Sequence, residues 1–334
     1  MPQSAFDLEE EKLSKAVYNR KAKLVLIQLP EGLKPQGPRL ATTVEKAGAI
    51  AILSADPCYG ACDLAIAEAE RLGADLIVHY AHSELIKQTA IPTIYIEARA
   101  RVSVKDTVKK ALPHLKRWRK IGIVTTLQHV HQLEEARRTL LDADKTVAIG
   151  DRGVLKHPGQ VIGCDYSNAK AVSEEADAFL FLGGGKFHAI GVALATAKPV
   201  IVADPYEKRA FTVNEEAASL IRKRWANIHE TEQATEVGIL IGLKIGQKRL
   251  DQALRLKKRL ECKYRVVLLA LREITPEALM QFPSIDAFVN TACPRISLDD
   301  SERFDKPLLT PEEALVALGE LKWEELCKKG WLGN

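Results

Sequence analysis

Short apolar runs alternate with longer amphipathic stretches along almost the whole chain. Three segments open with a basic residue or Glu and continue as apolar run, polar turn and amphipathic stretch. They are KLVLIQLPEGLKPQGPRLATTVEKAG from Lys23, KIGIVTTLQHVHQLEEARRTLLDAD from Lys120 and EVGILIGLKIGQKRLDQALRLKKRLECK from Glu236. A continuous apolar run predicts a strand covered on both faces, and apolar residues spaced by three and four predict the helix that covers it. Each copy then gives a second strand (AIAILSA, KTVAIGD, YRVVLLAL), a third that begins at Asp (ADLIVHY, ADAFLFLGGG, IDAFVNTAC) and a fourth after Pro (IPTIYIEA, KPVIVADP, KPLLT). Strands alternating with helices at this spacing predict one mainly parallel sheet per copy.

The pattern therefore predicts an α/β protein of three similar domains, residues 1–117, 118–232 and 233–334, each a mainly parallel sheet flanked by helices. Pseudo-threefold symmetry would bring the strand ends of all three to one centre. A leading amphipathic helix is expected in FDLEEEKLSKAVYNRKAK. A helical tail is expected after Thr310, whose hydroxyl and Glu313 form the spacing of a capping box.

Composition narrows the partners. The 334 residues carry 48 basic and 44 acidic side chains, net +4, and the basic runs KRWRK and RLKKRLECK fall on helix-like segments where they read as solvated faces, so no direct nucleic-acid partner is expected. No apolar run approaches the roughly 20 residues that span a bilayer, and no basic, apolar leader opens the chain, so the expected location is cytoplasmic, away from membranes. In a reducing compartment the six cysteines point to metal binding, catalysis or packing rather than disulfides.

Cys58 and Cys62, in CYGACD, begin like the Cys-x3-Cys-x2-Cys loop of common radical enzymes, but the third position is Ala65. Aligning GACDLAIAEAERLGADLIVHYAHS with IGCDYSNAKAVSEEADAFLFLGGG superposes Cys62 on Cys164, each followed by Asp, and leaves Cys58 without a counterpart. The third copy carries its cysteine, Cys293, at the end of its third strand, where α/β sites form. Small residues before Cys62 and Cys164 allow close backbone approach, and Pro294 ends the element at Cys293. Three such thiols suit packing, an iron–sulfur cluster with one open iron, or zinc completed by water or His. Composition does not separate these. Cys327 reads as a packing or surface residue. His129 and His131 point apart at a helix start and read as capping or interdomain groups, and His79 and His82 as hydrogen-bonding groups at the edge of the core.

Many short motifs in one order carry a resemblance: LPEGLK, YGACD, HYAHS, TTLQHVHQLEEA, PGQVIGCDYS, GGGKFH, ADPY, KRWANI, KIGQKR and NTACPR, from the first strand to LLTPEEA. The chain resembles the archaeal 2-(3-amino-3-carboxypropyl)histidine synthases of diphthamide biosynthesis. One departure is Ala81, where the family more often has Gly; read by size, the added methyl is small. The resemblance implies that Cys62, Cys164 and Cys293 hold a [4Fe–4S] cluster with S-adenosylmethionine at its open iron. It also implies that the 3-amino-3-carboxypropyl group is transferred, as a radical, to a histidine of translation elongation factor 2. It further implies a homodimer and an electron donor, and no catalytic residue beyond the cluster.

The GGGKFH turn lacks both G-x-G-x-x-G and the Lys-Ser/Thr of a phosphate loop, which speaks against a nucleoside triphosphate. Its backbone N–H groups suit the cofactor instead. The expected S-adenosylmethionine contacts are Pro30, Glu31, Gly32, Gly183, Gly184, Gly185, Phe187, His188, Asp204, Gly246 and Gln247. Two rival readings are a dehydratase resembling quinolinate synthase, with a small diacid substrate, and a zinc-stabilised scaffold that docks on a translation factor.

Overall fold

The computed structural model describes residues 5–151, 153 and 155–332; the outermost limits of the first and third expected domains, 1 and 334, lie outside them. β1 (Phe6–Asp7) leads into the helix Glu10–Arg20, which buries Leu13 and Val17. β2 (Leu24–Gln28), β3 (Ile50–Leu53), β4 (Leu76–Tyr80) and β5 (Thr93–Ile96) form a parallel sheet in the order β3-β2-β4-β5, and β6 (Arg99–Ala100) returns antiparallel to β1. β7 (Lys120–Thr125), β8 (Thr146–Ala148), β9 (Ala178–Leu182) and β10 (Val200–Asp204) repeat the order as β8-β7-β9-β10, with β11 (Arg209–Thr212) added antiparallel at the β10 edge. β12 (Glu236–Gly242), β13 (Arg265–Leu271), β14 (Ala287–Asn290) and β15 (Leu308–Leu309) give β13-β12-β14-β15, again parallel. The α/β class and the mainly parallel sheets agree with the sequence pattern. All twelve strands expected from the apolar runs are present. The β1–β6 ribbon and β11 were not expected, because two to four residues with few apolar positions leave no periodic signal.

The repeat extends to individual hydrogen bonds. Asp75, Asp177 and Asp286, each heading a third strand, accept from the backbone N–H groups that open the first strand: Lys23 (3.0 Å), Lys120 (2.9 Å) and Glu236 (2.9 Å). In return their own N–H groups donate to Leu24, Lys120 and Glu236 carbonyls at 3.0, 2.8 and 2.9 Å. These bonds to the charged form are the main reason that Asp177 and Asp286 titrate below the usual carboxylate value. The residue before each fourth strand is also matched, since Ile77, Phe179 and Phe288 donate to the carbonyls of Pro92, Pro199 and Pro307. Proline costs nothing there because its carbonyl, not its missing N–H, is what the ladder uses.

Two compact units arise. The first comprises Met1–Ser103 with Leu127–Gln132 and Val154–His157, and the second comprises Val104–Thr126, Leu133–Gly153 and Pro158–Asn334. In the first, Val25, Ile27 and Val78 pack on Leu13, Val17, Leu40 and Val44, while Leu26 and Ile77 on the other face meet Leu64, Ile66 and Ala69. In the second, one apolar cluster runs from Phe179, Val192 and Val202 through Ile228 to Val237, Ile239 and Val289, so its two sheets share a core.

That shared core holds one fully buried cation. Arg224, on the helix Asn214–Thr231, places its Nε and Nη2 on the Glu313 carboxylate at 2.8 and 2.5 Å and donates to the Ser297 and Leu308 carbonyls at 2.7 Å each. Glu313 also accepts from the Thr310 N–H and the Trp331 indole, both at 2.8 Å, and its own N–H closes the expected capping box on Thr310. Arg224→Ala should lower stability by about 3–5 kcal/mol because Glu313 is left charged and buried, whereas Arg224→Met with Glu313→Leu should recover most of that loss. Denaturant unfolding of the three proteins checks this; a single-variant loss below about 1 kcal/mol contradicts it.

Ala81 adopts φ 64° directly after β4, with its N–H on the Ile96 carbonyl (2.7 Å) and its carbonyl taking the Gln128 amide (2.9 Å). A glycine at this position, expected from the resemblance, would thus be a matter of conformation more than of size. A left-handed L-residue costs about 1–2 kcal/mol, part of which glycine gives back in the unfolded chain. Ala81→Gly should therefore raise unfolding free energy by about 0.5–1 kcal/mol, and a measured decrease would mean that the packed methyl outweighs the strain.

Candidate functional site

In a parallel sheet of order 2-1-3-4 the crevice for a ligand opens at the carboxyl ends of the first and third strands, where the connections part. At each of the three such points a polar side chain ties the two strand ends together. Thr125 donates to the Leu182 carbonyl and Thr291 to the Leu240 carbonyl, both at 2.7 Å. In the first sheet Gln28 does this work: its Oε1 faces His79 Nδ1 at 2.8 Å and accepts from the Ala65 N–H at 3.1 Å, while its Nε2 donates to the Asp63 carbonyl at 2.6 Å. The loop of Cys58 and Cys62 is thereby laid over the ends of β2 and β4.

Cys62 and Cys164 occupy equivalent tight turns. The Asp63 N–H donates to the Gly60 carbonyl (2.9 Å) and the Asp165 N–H to the Ile162 carbonyl (3.3 Å), so each thiol sits at the third position of a four-residue turn closed by the following Asp. Asp165 then takes the Ser167 N–H and hydroxyl at 2.8 and 2.6 Å, fixing the start of the helix Ser167–Ala171. Cys293 is held differently. It precedes the helix Pro294–Asp299, and Asn290 clamps it by accepting from its N–H (3.3 Å) and donating to its carbonyl (2.8 Å). None of the six cysteines is in a disulfide; Cys62 and Cys293 are half-buried and Cys164 is exposed.

Cys58 differs from its neighbour. It is buried, and burial together with the Asp63 charge pushes its thiol up to about 12. Burial also holds the two nearby imidazoles neutral, His79 well below its ordinary value and His82 at about 4. Each of the thiols of Cys62, Cys164 and Cys293, exposed or half-buried on a hydrogen-bonded loop, has the chemistry of a cluster ligand. Cys58, which is buried, is less accessible than these three.

The second unit brings several expected residues together. Gly163 lies where a Cβ would come 3.1 Å from the Phe187 ring and 3.5 Å from Arg295 Cγ, so only glycine lets the Cys164 turn approach both. Arg295, two residues after Cys293, spreads its guanidinium 3.9 Å over Phe187, donates to the Phe187 carbonyl (2.8 Å) and pairs with Asp299 (2.6 Å). Phe187 thus links the Cys164 turn to the Cys293 helix, and His188 stands edge-on to it at 4.8 Å. At the glycine turn, Gly183 and Gly185 take φ 147° and 74°, and a Cβ on Gly184 would come within 2.9 Å of the Tyr206 ring. Asp204 is occupied by this turn: it accepts from the N–H groups of Gly185 and Tyr206 (both 2.9 Å) and Glu207 (3.0 Å). Its role in the structure is to shape the turn. In the third sheet, Gly242 has room for no Cβ, with Ala292 at 2.6 Å and Gln247 at 3.2 Å, so the Gly246–Gln247 loop packs beside the Cys293 approach.

Pro30, Glu31 and Gly32 belong to the first unit. Glu31 pairs with Lys34 at 2.9 Å and accepts from the Cys58 N–H at 3.4 Å, and Lys34 lowers its pKa. His129 is buried, while His131 lies 3.3 Å from the Gln132 amide and is lowered by burial and by Arg99. Sequence reasoning missed Gln28, Asn290, Arg295 and Tyr206. Only Asn290 left a signal, since an Asn four residues before the Pro294 helix start is placed for an Asx turn, its Oδ1 accepting from the Ala292 N–H at 2.9 Å.

A family model described as "Putative diphthamide synthesis protein" matches residues 29–327. The 2-(3-amino-3-carboxypropyl)histidine synthase of Pyrococcus horikoshii is 40% identical over 312 residues, 91% of this chain and 89% of its own. Subunit 1 of the same synthase is 33% identical in Gallus gallus, covering 91% of this chain and 75% of that protein, and 30% identical in Homo sapiens, covering 96% and 74%. A crystal structure of Dph2 from Pyrococcus horikoshii with a 4Fe-4S cluster superposes with a TM-score of 0.89 at 38% identity, over 98% of this chain and 95% of that one. With a family model spanning most of its length and a relative this similar end to end, the chain belongs to the diphthamide synthesis protein family.

Proposed function

We propose that this protein is a 2-(3-amino-3-carboxypropyl)histidine synthase, catalysing the first step of diphthamide biosynthesis. It transfers the 3-amino-3-carboxypropyl group of S-adenosylmethionine to a histidine of translation elongation factor 2. The observation that carries this reading is the pair of matching Cys–Asp turns at Cys62 and Cys164, with Cys293 clamped at a third strand end, in a chain whose relatives bear that name. Cys62, Cys164 and Cys293 are the residues that would hold a [4Fe–4S] cluster. When bound, such a cluster supplies one electron to the sulfonium of S-adenosylmethionine, giving methylthioadenosine and a 3-amino-3-carboxypropyl radical.

The chain's own work is binding and orientation. Cys62, Cys164 and Cys293, drawn from three sheets and not from a compact Cys-x3-Cys-x2-Cys loop, would hold the cluster with one iron free of protein ligands, and the chain's part would be to set which carbon of the cofactor is held in line for cleavage. We assign the cofactor to the glycine turn Gly183–Gly185, to Phe187 and His188, to Asp204, which also shapes that turn, to Gly246 and Gln247 and to Pro30–Gly32. The same reading includes three domains (1–117, 118–232 and 233–334) in pseudo-threefold arrangement, a homodimer, an external electron donor and a cytoplasmic location. Among the described residues no helix is long and apolar enough to cross a membrane.

Cys62→Ala, Cys164→Ala and Cys293→Ala should each lose most of the iron, the sulfide and the broad thiolate-to-iron absorption of anaerobically reconstituted protein. Cys58→Ala, Cys262→Ala and Cys327→Ala should keep them. Loss in Cys58→Ala with retention in Cys62→Ala would reverse the ligand assignment. Reduced protein with S-adenosylmethionine should yield methylthioadenosine, and with archaeal elongation factor 2 a mass increase of one 3-amino-3-carboxypropyl group on a histidine. Deoxyadenosine and methionine as main products would refute the bond assignment.

A further inference from the structure

Beside the loop of Cys62, the first unit gathers a second set of soft donors. One ligand atom each of Cys58, His79 and His82 lies within 4.8 Å of the others. Cys58 and His79 are buried and His82 is half-buried. Local structure aims all three. His79 is the penultimate residue of β4, and the left-handed turn at Ala81 (φ 64°) carries the chain back so that His82 Nδ1 comes 2.9 Å from His79 Nε2. Cys58 is tethered through its N–H to Glu31 (3.4 Å).

The orientation of His79 is set from behind. The Gln28 amide cannot be reversed, because its Nε2 donates to the Asp63 carbonyl (2.6 Å) and its Oε1 accepts from the Ala65 N–H (3.1 Å). Gln28 Oε1 can therefore only accept from His79 Nδ1, 2.8 Å away. His79 carries its proton on Nδ1 and turns the Nε2 lone pair toward His82. An imidazole with one nitrogen donating to a carbonyl oxygen and the other bare is the form in which histidine binds metals.

The geometry points to Cys58, His79 and His82 as the ligands of one zinc(II) ion, separate from the cluster cysteines, with water in the fourth position. Two imidazoles and one thiolate are a donor set that zinc takes readily in tetrahedral sites. Binding releases the Cys58 thiol proton to solvent. The short His79–His82 contact is, without the ion, a hydrogen bond from His82 Nδ1–H; with it, His82 holds its proton on Nε2 instead. The ion would pin the Cys58 end of the loop to the end of β4. The inference rests on the proposed cluster assignment in one respect, that Cys58 is not a cluster ligand.

The test uses the full chain with Cys62, Cys164 and Cys293 all replaced by Ala, so that no cluster ligand competes, with folding checked by circular dichroism. Titration with cobalt(II) as the spectroscopic stand-in should give the visible bands of tetrahedral cobalt and a thiolate-to-cobalt band saturating at one equivalent, all bleached by zinc. Adding Cys58→Ala should remove the thiolate band, and adding His79→Gln should weaken binding at least tenfold. A folded triple variant that binds no cobalt, or one whose bands survive Cys58→Ala, overturns the proposal. If the triple variant does not fold, elemental analysis of cluster-loaded protein from zinc-supplemented culture decides. About one zinc per chain, lost in Cys58→Ser while the iron remains, supports the site, and its absence from the unsubstituted protein overturns it.

Discussion

A guanidinium with no access to water must find acceptors for its donors, and Arg224 meets that demand by drawing together parts of the chain that are far apart in sequence. Its partners are a carboxylate on the helix Pro311–Ala317, a carbonyl of β15 and a carbonyl of the helix that follows Cys293. A charge this deep is stable only with all its partners present. The position of the Cys293 helix therefore depends on a residue that never approaches the site. The indole of Trp331 on the same carboxylate extends the dependence to the end of the chain.

From that fixed frame the local devices at the strand ends make sense as one design carried out with different side chains. Asp165 shapes its turn through Ser167, Asn290 does so through the backbone of Cys293, and Gln28 through the backbone of Asp63 and Ala65. Phe187 and Arg295 then join the first two of these, the Cys164 turn and the Cys293 helix, by stacking and a hydrogen bond.

The strand plan was legible because buried parallel strands demand uninterrupted Val, Ile and Leu, and the three Asp residues heading third strands repeat because the same pair of backbone donors needs them each time. The cysteine pairing of Cys62 with Cys164 was legible for a related reason: a shared turn leaves a shared Cys–Asp. What was not legible depends on tertiary partners. Nothing near Arg224 in sequence announces Glu313, and nothing in GGGKFH announces Tyr206 or Arg295. Ala81 was visible as a departure but read as a question of volume, since dihedral angles leave no mark on a single sequence beyond the glycine that is missing. The grouping of Cys58 with two histidines was hidden because a left-handed turn, not helical or strand periodicity, closes it.

The three proposed ligand cysteines lie each more than a hundred residues from the next, and this bears on how the protein is made. A ribosome has completed most of the chain before Cys293 emerges, so a cluster cannot template the early folding of the first two sheets. Each loop has to be held ready by its own amide, hydroxyl or carboxylate until the last third arrives. On the proposed ligand set, cofactor insertion would be a late, all-or-none event in the life of the polypeptide, waiting on the last of the three sheets.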